Sequence, residues 1–145
     1  MKKIDFGEGN ELIALFMGAT FNPNWRFLND NKYDVKPTWE YAMDNRPTKY
    51  STMYWGASQM EYHLTWDWIM PVVEKIESMG LHFNTQKNES WIDWLGVENE
   101  NLEFLQQYDN EKFEANKGES KIDSVYKTVV QFIKSYNAYQ KEKKN

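Results

Sequence analysis

Apolar positions along this chain gather in three blocks at helical spacing, separated by stretches where that period is lost. In the central block, YHLTWDWIMPVVEKIESMG at 62–80, Ile69, Val72, Val73, Ile76 and Met79 recur every three or four residues, as on one buried helix face. Glu74, Lys75 and Glu77 define the solvated face. Thr65 is the expected N-cap, Asp67 in the first turn suits the helix dipole, and Gly80 supplies the stop. Pro71 lies inside this span, where its missing N–H and its ring kink a helix. A shorter helix is predicted near 10–17, with Asn10 as N-cap, Leu12, Ile13, Leu15 and Phe16 as its face, and Gly18 in the left-handed position that ends it. The last helix, near 120–140, opens on Ser120 with Asp123 three residues later, a capping-box pattern. Ile122, Val125, Tyr126, Val129, Ile133 and Tyr136 mark its apolar stripe.

Between these blocks the period changes. Leu81–Thr85 alternates as a strand, and Trp91–Leu95 follows a Lys87-Asn88-Glu89 turn, so a hairpin is the economical reading. Residues 96–119 are acidic and irregular, with Leu102, Phe104 and Leu105 docking as a strand or a short helix. From Ala19 to Gln59 the dipeptides and tripeptides of turns dominate: Asn22-Pro23-Asn24, Lys36-Pro37 and Arg46-Pro47. That stretch reads as ordered loop with one or two short strands, one of them around Tyr50–Trp55. The expected fold class is α+β, a small antiparallel sheet including 81–86 packed with about three helices. A single domain spanning 1–145 is expected, with a flexible tail at 141–145.

Composition narrows the class. At 145 residues the chain is long enough for one real core, and 17% aromatic content with 27% charged residues is that of a globular protein. It has no cysteine, which excludes disulfides and thiolate metal sites. The N-terminal apolar run is interrupted by Asp5, Glu8 and Glu11, unlike a secretion signal, so the cytoplasm is the expected compartment and no membrane association is expected. The net charge of −5 is unevenly spread: residues 59–116 carry twelve acidic against three basic side chains, and the basic C-terminal stretch is lysine-only. Duplex nucleic acid is a poor partner for such a surface.

No familiar catalytic motif is present. The chain has two histidines, too few for the usual metal or nucleophile constellations, and lacks the GxSxG and HExxH spacings. His63 and Asp67 stand four apart and would meet only on an earlier helix start; a capping or surface pair is the plainer expectation, and His82 on its strand is expected to face solvent. Gly7-Glu8-Gly9 lacks the preceding strand and third glycine of a phosphate loop. Carboxylate pairs such as Asp93 with Glu98 or Glu100 with Glu103 read as solvated surface. No catalytic residue, metal site or cofactor is therefore expected.

The segment 18–68 is different, because it holds twelve of the 24 aromatics and both arginines, Arg26 and Arg46. Rings beside arginines on loops suit a phosphorylated base: a flat face to stack on and a planar fork for phosphate oxygens. Core packing competes for each ring, and Trp66 and Trp68 in particular are expected to pack. The candidate ligand-binding residues are Trp25, Trp39 and Tyr54 for stacking, Arg26, Arg46 and Lys49 for phosphate, and Asn22 and His63 for polar contacts.

The YHLTWDWIMPVVEKIESMG segment resembles a group of small phage and prophage proteins similar to the phage ABA sandwich domain family. NELIALFMGA and SKIDSVYKTVVQFIKSYN look like that group's first and last helices, whereas 19–60 and 96–119 depart from it. The resemblance implies helices on a small antiparallel sheet, an α/β/α-type arrangement, in a protein of viral or mobile-element origin acting in the host bacterial cytoplasm. It carries over no catalytic residues. Three functions are weighed: a non-enzymatic sponge for a cyclic or modified nucleotide immune signal, expected as a homo-oligomer; a protein–protein inhibitor of a host defence factor using the acidic 59–116 surface; and, ranked last, a hydrolase acting through His63.

Overall fold

The structure, a computed structural model, describes residues 6–18 and 60–143 throughout and the backbone of residues 20–27, 30–35 and 53–56. The elements are α1 (Phe6–Phe16), β1 (Thr20–Phe27), β2 (Asp30–Val35), β3 (Met53–Gly56), α2 (Trp66–Glu77), β4 (Leu81–Gln86), β5 (Glu89–Trp94), α3 (Leu102–Glu111), β6 (Asn116–Lys117) and α4 (Lys121–Lys143). The class is α+β. Among the described residues there are two three-stranded sheets, ordered β1-β2-β3 and β4-β5-β6, with every pairing antiparallel. The chain forms two compact units, Met1–Pro71 and Val72–Asn145. Among the described residues no helix is long and apolar enough to cross a membrane.

In the first unit, Ile13, Ala14, Met60, Tyr62, Trp68 and Ile69 are buried, and Tyr62 meets Trp68 edge-on with ring centroids 4.9 Å apart. The expected N-cap at Asn10 is corrected: α1 starts at Phe6, so Asn10 sits mid-helix, fully buried. Its side-chain amide donates to the Met60 carbonyl at 3.0 Å, which explains how a short polar side chain is tolerated there. Gly18 takes the expected left-handed conformation at φ 93°. A second correction concerns Trp66, which is 41% exposed, while its neighbour Trp68 is 2% exposed. The two residues stand two apart in α2 and so lie on different helix faces.

The helix α2 begins directly after Thr65, whose carbonyl accepts from Ile69. The Thr65 hydroxyl, however, has no hydrogen-bond partner among the described residues, so it occupies the cap position without capping. Pro71 is accommodated inside the helix, where it removes one backbone donor.

The second unit is built on the β4–β5 hairpin. A two-residue Lys87-Asn88 turn joins Gln86 to Glu89, with Lys87 at φ 55°, the first central position of a turn that favours glycine. Asn88 offsets that strain by pairing reciprocally with Gly118: its side chain donates to the Gly118 carbonyl at 2.7 Å, and the Gly118 amide donates to the Asn88 carbonyl at 2.9 Å. The helix α4 packs along β4, β5 and β6, and α3 packs against β5 and α4. Ser120 caps α4 as expected, its hydroxyl accepting from the Asp123 amide at 3.2 Å, and Asp123 accepts from the Glu119 amide at 2.8 Å.

Burial of Val125, Tyr126, Val129 and Ile133 matches the expected stripe of α4, and Val72, Val73 and Ile76 that of α2. In the acidic stretch 96–119, where Leu102, Phe104 and Leu105 were expected to dock as a strand or a short helix, the helix forms: α3 buries Phe104, Leu105 and Tyr108 and turns its acids outward. Phe104 lies within 5.2–6.0 Å of Tyr108, Phe132, Tyr136 and Tyr139. Glu77, expected to be merely solvated, accepts from the Phe83 amide at 3.1 Å.

Polar side chains complete this core. The Ser90 and Ser124 hydroxyls lie 2.7 Å apart and are fully buried. Thr128 Oγ1 stands 3.1 Å from the Ser90 carbonyl and 2.9 Å from the Ser124 carbonyl, and accepts from the Asn116 side chain at 3.1 Å. Thr128→Val keeps the volume but strands these partners in a buried site. It is expected to cost about 1–3 kcal/mol in urea unfolding, and a variant within a few tenths of wild type would contradict a structural role for the hydroxyl.

Gly80 ends α2's following turn at φ 102°, and a Cβ there meets the Asn99 side-chain nitrogen at 2.9 Å, the same group that donates to the Met79 carbonyl. Gly80→Ala is therefore expected to lose more than about 1 kcal/mol through left-handed strain alone. Gly96, also left-handed at φ 75° but with open space around it, supplies the comparison: Gly96→Ala should cost less than Gly80→Ala in the same measurement.

Candidate functional site

The described candidates of the first unit fall on two strands and one turn. Asn22, Trp25 and Arg26 lie on β1, and Tyr54 lies on β3. Trp39, Arg46 and Lys49 lie outside the described residues. The reading of Asn22-Pro23-Asn24 as a turn is corrected: this tripeptide interrupts β1 without ending it. Asn22 pairs with Lys32 and Arg26 with Asn31, so the residues between Asn22 and Arg26, Trp25 included, form a bulge opposite a continuous β2. Pro23 cannot donate to a ladder, and a bulge is where a strand tolerates it.

Register brings residues from distant parts of the sequence together. Phe21, Tyr33 and Trp55 occupy one cross-strand row, Thr20, Asp34 and Tyr54 the row on one side of it, and Asn22, Lys32 and Gly56 the row on the other. The sheet thus unites Asn22 and Tyr54, two of the candidates, two positions apart in register. It also places Lys32, Tyr33 and Trp55 among them, which sequence reasoning missed. The strand β2 reads DNKYDV, too polar for its alternation to signal a strand.

His63 is positioned by α1. Its ring stacks on Phe6 with centroids 4.4 Å apart and planes 19° from parallel, and its Nδ1 lies 3.4 Å from the Asn10 side-chain nitrogen. An amide nitrogen donates and cannot accept, so Nδ1 accepts and the proton of the neutral ring resides on Nε2. Burial lowers the His63 pKa below its ordinary value of 6.5, against a smaller opposite pull from Glu61. His63 and Asp67 are not paired through an early helix start, because His63 precedes α2 in a turn. His82 is exposed, 3.7 Å from Glu77.

In the second unit a cleft of about 200 Å³ opens between β5, α3 and α4. Among the described residues no three His, Asp or Glu side chains are gathered so as to hold a metal ion. Comparison with protein-family models, with curated proteins and with solved structures matches this chain to none of them.

The lowered pKa of His63 carries a pH signature. The unfolded chain takes up this proton before the folded one, so the associated stability is complete above about 6.5 and is lost as pH falls through 6.5 toward the folded value. In a His82→Asn background, which removes the other imidazole, the Tm is expected to drop between pH 7.5 and 5.5, and His63→Asn is expected to reduce that drop. Parallel Tm profiles with and without His63 would show that this ring is not the group responsible.

Proposed function

We propose that this chain is a non-enzymatic binding protein that holds a small nucleotide on the three-stranded sheet of its first unit. The observation that supports this is the row Phe21–Tyr33–Trp55, three aromatic residues at one register position, beside the row containing Asn22 and Lys32. Successive aromatic residues on a sheet provide stacking surface of the kind nucleic-acid bases use, worth about 1–3 kcal/mol per base. Lys32 in the neighbouring row and Arg26 on β1 supply phosphate contacts, and Arg46, outside the described residues, is proposed as the second guanidinium fork. Taken with the resemblance to small phage proteins, the proposed role is to sequester a cyclic or modified nucleotide signal of host immunity in the bacterial cytoplasm. A homo-oligomer is the proposed assembly, since a small domain shelters a ligand well at an interface.

The test is a thermal-shift screen of mononucleotides and cyclic dinucleotides on the purified chain, with chromatography of ultraviolet-absorbing material released on denaturation. A ligand at 100 times its Kd is expected to add about 2.7 kcal/mol of apparent stability. Arg46→Ala, which removes a charge-assisted contact, is expected to weaken binding roughly ten-fold to more than a hundred-fold, and Trp55→Ala to weaken it by a comparable factor. The recovered ligand is expected to be chemically unchanged. Absence of binding to every nucleotide would overturn the proposal, and turnover of the ligand would make the protein an enzyme.

A further inference from the structure

The cleft of the second unit lies along an unpaired strand margin. Ser90 touches Ser124 of α4, so by alternation Ser90, Ile92 and Trp94 face that helix, while Trp91 and Asp93 face away from it. Trp91, Ile92 and Asp93 all line the cleft nonetheless, and no residue of β4 does. Residues whose side chains point to opposite faces share one wall only along their backbone, so the cavity follows the margin of β5 turned away from β4. We propose that this margin is a strand-addition site, which an extended segment of a partner protein enters antiparallel to β5. The site is independent of the nucleotide reading and stands or falls without it.

The phase of the ladder leaves hydrogen bonds to be made there. Residues directly opposite in an antiparallel pair alternate between bonding each other and pointing their backbone groups outward. The Leu95 amide donates to the Gly80 carbonyl at 3.3 Å, which makes His82–Asp93 and Asn84–Trp91 bonded pairs and Phe83–Ile92 an outward pair. The Phe83 amide agrees, since it turns away from β5 to Glu77. Ile92 therefore presents its N–H and C=O to the far margin. The strand β6 covers that margin only at Glu89 and Ser90, because its pairing begins at Asn116, so Ile92 has no backbone partner there among the described residues.

The surroundings of Ile92 suit a second main chain. Gln131 of α4 also lines the cleft, and its side-chain oxygen accepts from the Asn116 side chain at 3.0 Å, which fixes the amide and leaves its nitrogen with two protons for a carbonyl. Tyr108 and Phe113 form the opposite side, and Tyr108 is buried, with ring centroids 5.3 Å from Phe113 and 5.2 Å from Phe132, so that side is held in place. The volume of about 200 Å³ is below the roughly 300–1,000 Å³ of a small-molecule site, and it lies on the same margin of β5 that β6 begins to cover.

The occupant is recognised by its extended backbone. An N–H and a C=O on one residue are both satisfied by one residue of an antiparallel segment, which is how added strands gain affinity. That segment comes from a different protein, because the outer strand β4 of a second copy has its Phe83 amide already committed to Glu77.

The probe is acetyl-Thr-Val-Thr-Val-Thr-amide, a strand-forming peptide titrated into the isotope-labelled full chain and followed by NMR. The Ile92 amide is expected to shift downfield, and at saturation its hydrogen exchange is expected to slow by at least about ten-fold, a result that depends on no variant folding. Directly paired residues share a face, so the valines lie opposite Ile92 on the side of α4. N-methylation of both valines is therefore expected to weaken binding by at least about ten-fold, and N-methylation of the threonines by less than about three-fold. Gln131→Glu, which exchanges the amide donors for a carboxylate oxygen, is expected to weaken the peptide about five- to ten-fold. No binding, shifts that spare Ile92, or any other ranking of the methylated peptides would overturn the site. Copies that associate without peptide and separate on Gln131→Glu would overturn the foreign partner.

Discussion

Two serine hydroxyls 2.7 Å apart, Ser90 on β5 and Ser124 on α4, set how close the long helix comes to the sheet of the second unit. Side chains this small allow a near approach, and the approach in turn buries their oxygens, so each proton has to be used. Ser90 donating to Ser124, and Ser124 to the Lys121 carbonyl at 2.7 Å, uses the two shortest contacts with one proton each. Thr128 then has its own proton for the Ser90 or Ser124 carbonyl and receives one from Asn116. A satisfied network of this kind fixes one registry between helix and sheet, because sliding either element strands several buried groups at once. Everything that α4 and β5 carry, including Gln131 and the Trp91–Asp93 stretch, takes its position from that registry.

The helices were legible because their signals are local. The spacing of Val125, Val129 and Ile133, the Ser120–Asp123 cap, and glycine at 18 and 80 all act within one or two turns of chain. What escaped the sequence was set by distant partners. Asn10 looks like a cap until Met60, fifty positions away, supplies a carbonyl for its amide in the middle of a helix. The strand β2 alternates too weakly to be seen, and it becomes a strand by pairing with β1 and β3 on either side. The helix α3 stayed undecided between strand and helix, because its outward acids left only Phe104, Leu105 and Tyr108 to carry the period.

The candidate sites divide along the same line. Composition drew attention to the aromatic residues of this segment, yet their grouping depends on register, which no count of aromatics contains: Tyr54 was singled out, while Tyr33 and Trp55, paired directly across the sheet, were not. In the second unit the carboxylates read as a solvated surface, and Asp93 and Asp109 are indeed exposed. The folding of α3 onto β5 leaves a cavity lined by residues of both elements, a grouping that no local pattern contains.

Glu77 shows how the fold guards its own margin. The strand β4 is an outer strand of its sheet, and such a strand exposes backbone donors on which another chain can assemble. The Glu77 carboxylate, reaching over from the end of α2, already occupies the Phe83 amide on that margin. A stranger's carbonyl would have to displace a charged acceptor to begin pairing there, and would meet its negative charge on approach. One side chain at the end of the helix before the strand thus serves as a guard against aggregation as well as a bond within the molecule.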